Sequence, residues 1–200
     1  MTLPDGMTDL APGKIAAIAT VFERSMDQAN GPAPQAPGAK WRFERDETPD
    51  LRDYLDLWRR VGGPQLWYGR LVQSEAEVAA YLAAPTTAVF RLIVDGRAEG
   101  IADLDFSVES RCELVYFGVT PTLVGKGAGG FMMGEVLAFV KEAGTPLLWL
   151  HTNTLDHAKA RGFYARFGFE PVSQKLELAD DPRLVGLYPR DTAPQIPIFP

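Results

Sequence analysis

The chain is poor in the residues that most metal and redox sites require. It has one cysteine, Cys112, and two histidines, His151 and His157, in 200 residues. A single cysteine excludes an intramolecular disulfide and a cysteine-based zinc site within the chain. Two histidines are too few for most histidine-rich centres, so no metal is expected. Basic residues are also in deficit: 20 Lys and Arg against 26 Asp and Glu leave a formal net charge of -6. Phosphate backbones are bound by basic surfaces, so no nucleic-acid partner is expected. No apolar run approaches the roughly 20 residues of a membrane span. The opening MTLPDGMTDLAPGKIAAIATVF places Asp5 and Asp9 before Lys14 and has a short, alanine-rich apolar stretch, unlike a secretory signal. The expectation is a reducing, cytoplasmic setting and no membrane partner.

What is present is an ordinary globular composition, 46% hydrophobic and 23% charged, in a chain long enough for one medium domain. Ile15, Ile18, Val21 or Phe22, and Met26 have the spacing of a short amphipathic helix over 14–28. The run NGPAPQAPGA, residues 30–39, excludes a helix or a central strand. Residues 1–39 therefore read as an arm and linker, and 40–200 as the body with its tail. WRFER reads as a strand. TPDLRDYLDLWRRVGG predicts a helix capped by Thr48, with Pro49 at its first position and Leu51, Leu55, Trp58 and Val61 as its apolar stripe. Ser74 and Glu77 are spaced as a capping box that starts a second helix.

Three strand candidates follow, TAVFRLIVDG, AEGIADLDFSVE and RCELVYFGVT, joined closely enough to form an antiparallel meander. Cys112 belongs to the last of them and reads as a core residue. A glycine-rich loop leads to a helix over 127–143. LLWLHTN is a buried strand, DHAKARGFYARFG a short helix, and FEPVSQKLEL a last strand. The tail from Asp180 is rich in proline and turn residues and is expected to lie over the body.

The loop, within GVTPTLVGKGAGGFMM, carries the chemistry. Gly125, Gly127, Gly129 and Gly130 fill four of six consecutive positions between a strand and a helix. Glycines let backbone approach an anion, and the helix start offers unpaired N–H groups to it. GKGAGG matches the dinucleotide fingerprint, but that fold wants the loop after its first strand and an acidic residue at the end of the next. Here several strands precede the loop and the next strand ends LHTN. A P-loop needs Lys followed by Ser or Thr, and Gly129-Gly130 stands there instead.

A third reading fits the order of elements. The chain resembles the GCN5-related N-acetyltransferases, in which early helices precede an antiparallel meander, a pyrophosphate loop, a helix, a fifth strand, a short helix and a final strand. The family loop is Gln or Arg, two residues, Gly, one residue, then Gly or Ala. Val124-Gly125-Lys126-Gly127-Ala128-Gly129 takes that register, with Val124 at the Gln/Arg position. The family's Asn-x-x-Ala-x-x-x-Tyr followed by Gly-Phe is matched by His157, Ala160, Tyr164 and Gly168-Phe169, with His157 at the Asn position.

The resemblance implies an α/β (α+β) fold, with a mixed, mostly antiparallel sheet flanked by helices and splayed fourth and fifth strands. It implies an acetyltransferase that uses acetyl-CoA, with a small-molecule or peptide amine as acceptor and direct transfer. Phe117, Gly118 and Val119 would lie beside the thioester, with Val119 making the main-chain contact. The loop from Val124 through Lys126 to Gly130 would hold the pyrophosphate, and Asn153, His157 and Ala160 the pantetheine. Glu113 would be the base and Tyr164 the acid that protonates the departing sulfur. Asp103 and Asp105 fall on one strand face, as an acidic patch or a solvated surface. Asp156 is placed to cap the last short helix. Trp58, Trp67 and Tyr68 gather near the acceptor side, as a substrate wall or as core. A homodimer fits such domains. An inactive acyl-CoA sensor, or transfer of another acyl chain or to another acceptor, would share much of the pattern.

Overall fold

The computed structural model describes residues 5–29, 35–38 and 40–200. The 30–34 part of the expected linker, and residue 39, lie outside these. Seven strands form one sheet: β1 Lys14–Ser25, β2 Trp41–Asp46, β3 Thr87–Val94, β4 Arg97–Val108, β5 Arg111–Val119, β6 Leu147–Thr152 and β7 Glu170–Asp180. Their spatial order is β2-β3-β4-β5-β6-β1-β7, antiparallel throughout except for the β5–β6 pair. Among the described residues four α-helices flank the sheet: α1 Leu51–Gly62, α2 Glu75–Leu82, α3 Ala128–Glu142 and α4 Ala160–Arg166.

The first element corrects the sequence reading. The segment expected as a short helix on an arm is β1, an interior strand bonded to β6 on one side and β7 on the other. Its buried residues, Ile15, Ala17, Ala19 and Val21, alternate as a strand's do. Alanine-rich sequence favours a helix locally, but two flanking strands supply the hydrogen bonds and the packing that decide the outcome.

The α1 helix begins two residues later than expected. Asp50, not Thr48, is the N-cap and accepts from the N–H groups of Arg52 and Asp53. Tyr54, Leu57, Trp58 and Val61 form its buried face, while Leu51 and Leu55 are only partly covered. The capping box of α2 is present, with Ser74 and Glu77 bonded reciprocally. The meander of β3, β4 and β5 is as read.

One core lies between the sheet and α3, built on Leu92, Leu104, Leu114, Met132, Met133, Val136 and Leu148. A second lies between the opposite face and α1 and α2, around Trp58, Val78 and Ile101. Cys112 is fully buried, and burial pushes its thiol up to about 12, as suits a core residue. The tail does lie over the body. Buried Arg183 pairs with Asp181 at 2.7 Å and donates to the carbonyls of Thr192, Ala193, Ile196 and Pro197. The Tyr188 hydroxyl donates to the Trp67 carbonyl at 2.7 Å.

Candidate functional site

Strands β5 and β6 are bonded only at Cys112–Leu148 and Glu113–Trp149. Beyond Glu113 they part, and a cavity of about 760 Å³ opens beside the gap. Phe117, Gly118 and Val119 line it from β5, and Ala160, Phe163, Tyr164 and Phe167 from α4. The loop contributes Val124, Gly125, Gly127, Ala128, Gly129 and Gly130. Val61, Trp67 and Leu123 supply the remaining apolar wall.

The loop has the backbone that its glycines permit. Gly125 and Gly127 have φ of +78° and +84°, in the left-handed region. Gly127 is the N-cap of α3 and brings no side chain to bond the first N–H groups. The residues that carry those donors, Ala128, Gly129 and Gly130, line the cavity at the positive end of a fifteen-residue helix. Lysine 126, by contrast, is not among the lining residues. Two cations that the sequence reading passed over, Lys159 and Arg166, do line the cavity at the two ends of α4. Their seven-residue spacing around Ala160 and Phe163 is the signal that could have found them.

Tyr164 lines the cavity and is otherwise enclosed by Phe22, Phe117, Phe163 and Phe169. Burial, and then the charge of Asp156, hold its phenol above the ordinary range, so it stays protonated at neutral pH. His157 lines the cavity too, and its Nδ1 accepts from the Lys159 N–H at 3.2 Å.

A bulge re-aims the other site residues. Asp103 pairs with Tyr116 and Leu104 with Leu114, so Val115 is the extra residue in β5. Cys112 and Leu114 therefore pack in the α3 core, while Tyr116 and Gly118 turn towards α1. Glu113, adjacent to both buried residues, takes the same side as Tyr116. It lies outside the cavity lining, at the point where the strands separate. His151 stands on β6 with its Nδ1 3.7 Å from Glu113 Oε1.

Asn153 is engaged towards β7 rather than along the cavity. Its Nδ2 donates to Glu177 at 3.1 Å, and Tyr68 donates a short hydrogen bond to the same carboxylate. Asp156 does not cap α4. It accepts from the Thr152 hydroxyl, the Asn153 N–H and the Trp67 indole N–H, the last at 3.2 Å. Trp67 thus reaches across the end of the gap, seated where Gly62 and Gly118 carry no Cβ. Trp58 is core. Asp103 is neither patch nor solvated face: it is fully buried against Tyr54 and Arg70. Among the described residues no cluster of three or more His, Cys, Asp or Glu could hold a metal, and no helix is long and apolar enough to cross a membrane.

Residues 36–169 match the model of the acetyltransferase (GNAT) family. No curated protein matches the chain. Among solved structures, it is similar to a GCN5-related N-acetyltransferase from Sphaerobacter thermophilus, with a TM-score of 0.59 and 17% identity over 82% of this chain and 52% of that one. A GCN5-related N-acetyltransferase from Kribbella flavida gives a TM-score of 0.56 and 16% identity over 86% and 62%. The ribosomal-protein-S18-alanine N-acetyltransferase from Escherichia coli gives a TM-score of 0.55 and 18% identity over 69% and 90%. The chain spans between 51% and 64% of the length of the larger structures it resembles.

Proposed function

Since the chain belongs to the GNAT acetyltransferase family, we propose that it moves an acetyl group from acetyl-CoA directly to a primary amine. The observation that carries this reading is the continuity of the parted β5–β6 gap with the glycine loop at the start of α3. The donor set fits such a molecule. The bare N–H groups of 128–130 suit a pyrophosphate, and Lys159 and Arg166 add positive charge. Gly127 keeps the loop backbone open to an anion, and Phe117, Phe163 and Phe167 offer apolar walls to a pantetheine arm.

Acetyl-CoA would supply an activated thioester, and the chain's residues would do the rest. The β5 backbone at Val119 would place an N–H on the carbonyl oxygen. Tyr164, kept protonated by its burial, would give its proton to the sulfur. Glu113 would serve the amine from the far side of the gap. A localisation in the cytoplasm and assembly as a homodimer belong to the same reading.

Calorimetric titration with acetyl-CoA, and with NADH as comparator, tests it. The expected result is micromolar affinity for acetyl-CoA, none for NADH, and thiol release when primary amines are added. Acetyl-CoA binding without transfer to any amine would favour a sensor. Binding of NADH instead would revive the dinucleotide reading of GKGAGG.

A further inference from the structure

Glu113 has one side-chain partner among the described residues, and it is His151. The pair bridges the two strands just where their hydrogen bonding stops. Glu113 is opposite Trp149 in the last bonded register, and His151 lies two residues further along β6, on the same face as Trp149. An imidazole whose Nδ1 faces a carboxylate has only Nε2 left for a substrate. His151 is also the more open of the two side chains, 46% exposed against 24% for Glu113.

The charges that act on His151 are acidic, and the cation on the same face, Arg111, is stacked on the Trp149 ring at 5.1 Å. Glu113 faces His151 from β5, Glu177 from β7 and Asp156 from the β6–α4 connection. Opposite it, β1 contributes apolar Val21. Glu177 is already bonded by Tyr68 and Asn153, and Asp156 by Thr152, Asn153 and Trp67. Among the described residues, Glu113 alone of these three carboxylates has no side-chain partner but the imidazole.

We propose that His151 takes the proton from the acceptor ammonium, and that Glu113 is the positioning residue that holds its Nδ1. This rests on the reading of the protein as an amine acetyltransferase and replaces Glu113 as the group touching the amine. The Nε2 lone pair accepts one ammonium proton. The freed nitrogen pair forms the C–N bond to the thioester carbonyl carbon, and the C–S bond breaks with its pair on sulfur. Sulfur gains a proton from Tyr164, which regains one from the nitrogen through solvent. The imidazolium then releases its proton, leaving amide, free thiol and one proton in solution.

Glu113, more than the opposing effect of burial, raises His151 above its ordinary value. Base catalysis needs neutral imidazole, so kcat/KM should rise with pH through that raised value. The test uses the whole chain, acetyl-CoA, and whichever of an alkyl diamine, an aminoglycoside and a peptide with a free N terminus gives the fastest thiol release. For His151→Gln we expect kcat/KM to fall by about 100-fold or more, loss of the acidic limb, and unchanged acetyl-CoA affinity. For Glu113→Gln we expect a smaller loss, with the limb moved to lower pH and the His151 imidazole NMR titration moved with it. A His151→Gln variant with near-normal rate and limb overturns the relay while leaving amine acetylation intact. An unmoved His151 titration in Glu113→Gln overturns the positioning role. Wild-type protein that binds acetyl-CoA but acetylates no amine overturns the functional reading, and the relay with it.

Discussion

Replacing Arg70 with methionine is expected to lower the unfolding free energy by about 3–5 kcal/mol, the usual cost of breaking a buried ion pair from one side. Asp103 is fully buried on β4. Its Oδ2 accepts from the Tyr54 hydroxyl at 2.5 Å and lies 3.6 Å from Arg70 Nη2. Arg70 Nε donates to the same hydroxyl at 3.0 Å, and the guanidinium lies 3.7 Å from the Tyr81 ring centre. Methionine keeps much of the stem's packing but leaves the carboxylate without a cation. Urea titration at neutral pH reads the loss. A double variant with Asp103→Leu should cost less than the sum of the two single changes, since it removes the stranded charge.

The same cluster has a pH signature. Burial holds Asp103 up at about 6, against the pull of Tyr54 and Arg70. A carboxyl that binds its proton more tightly when folded is most favourable to folding at low pH. Its contribution should fall by about 3 kcal/mol between pH 4 and 6 and then level off. Asp103→Asn should flatten that part of the stability profile. The cluster matters to the site because Arg70 anchors the segment that carries Trp67 and Tyr68.

Gly127→Val is the second large effect. Acetyl-CoA affinity is expected to fall by about 100-fold or more, read by calorimetry. The residue has φ of +84°, where a β-branched side chain is strained by roughly 1–2 kcal/mol. A Cβ there would also come within 3.3 Å of the Pro37 ring. The branched methyls would stand over the N–H groups of 128–130, so binding should suffer far more than folding. Gly162→Ala is the control. It lies inside α4 with open space around it, and should leave affinity unchanged while stabilising slightly.

What the sequence revealed was mainly local. The Ser74–Glu77 box, the close turns of the meander and the glycine density at 125–130 each encode their structure within a few residues, and each was legible. The β1 strand was not. Its two neighbours in the sheet come from the far end of the chain, and its open face carries Ala16 and Ile18 in place of the polar residues that mark a half-exposed strand. Asp103 looked like a surface residue because nothing near it in sequence announces Tyr54 and Arg70. The Glu113–His151 pair was hidden for a related reason. It depends on a parallel pairing across a helix, which leaves no mark in spacing.

The place of β1 also sets a timetable for folding. Lys14 meets Asp180 across 166 residues, so β1 waits until all of those residues have been made for its outer neighbour. Until β7 emerges, the edge of β6 that β1 will occupy has only half of its final support. Contacts of such long range are slow to form. The wall of the gap that holds His151 is therefore completed among the last events, when the N-terminal strand is captured between two strands made long after it.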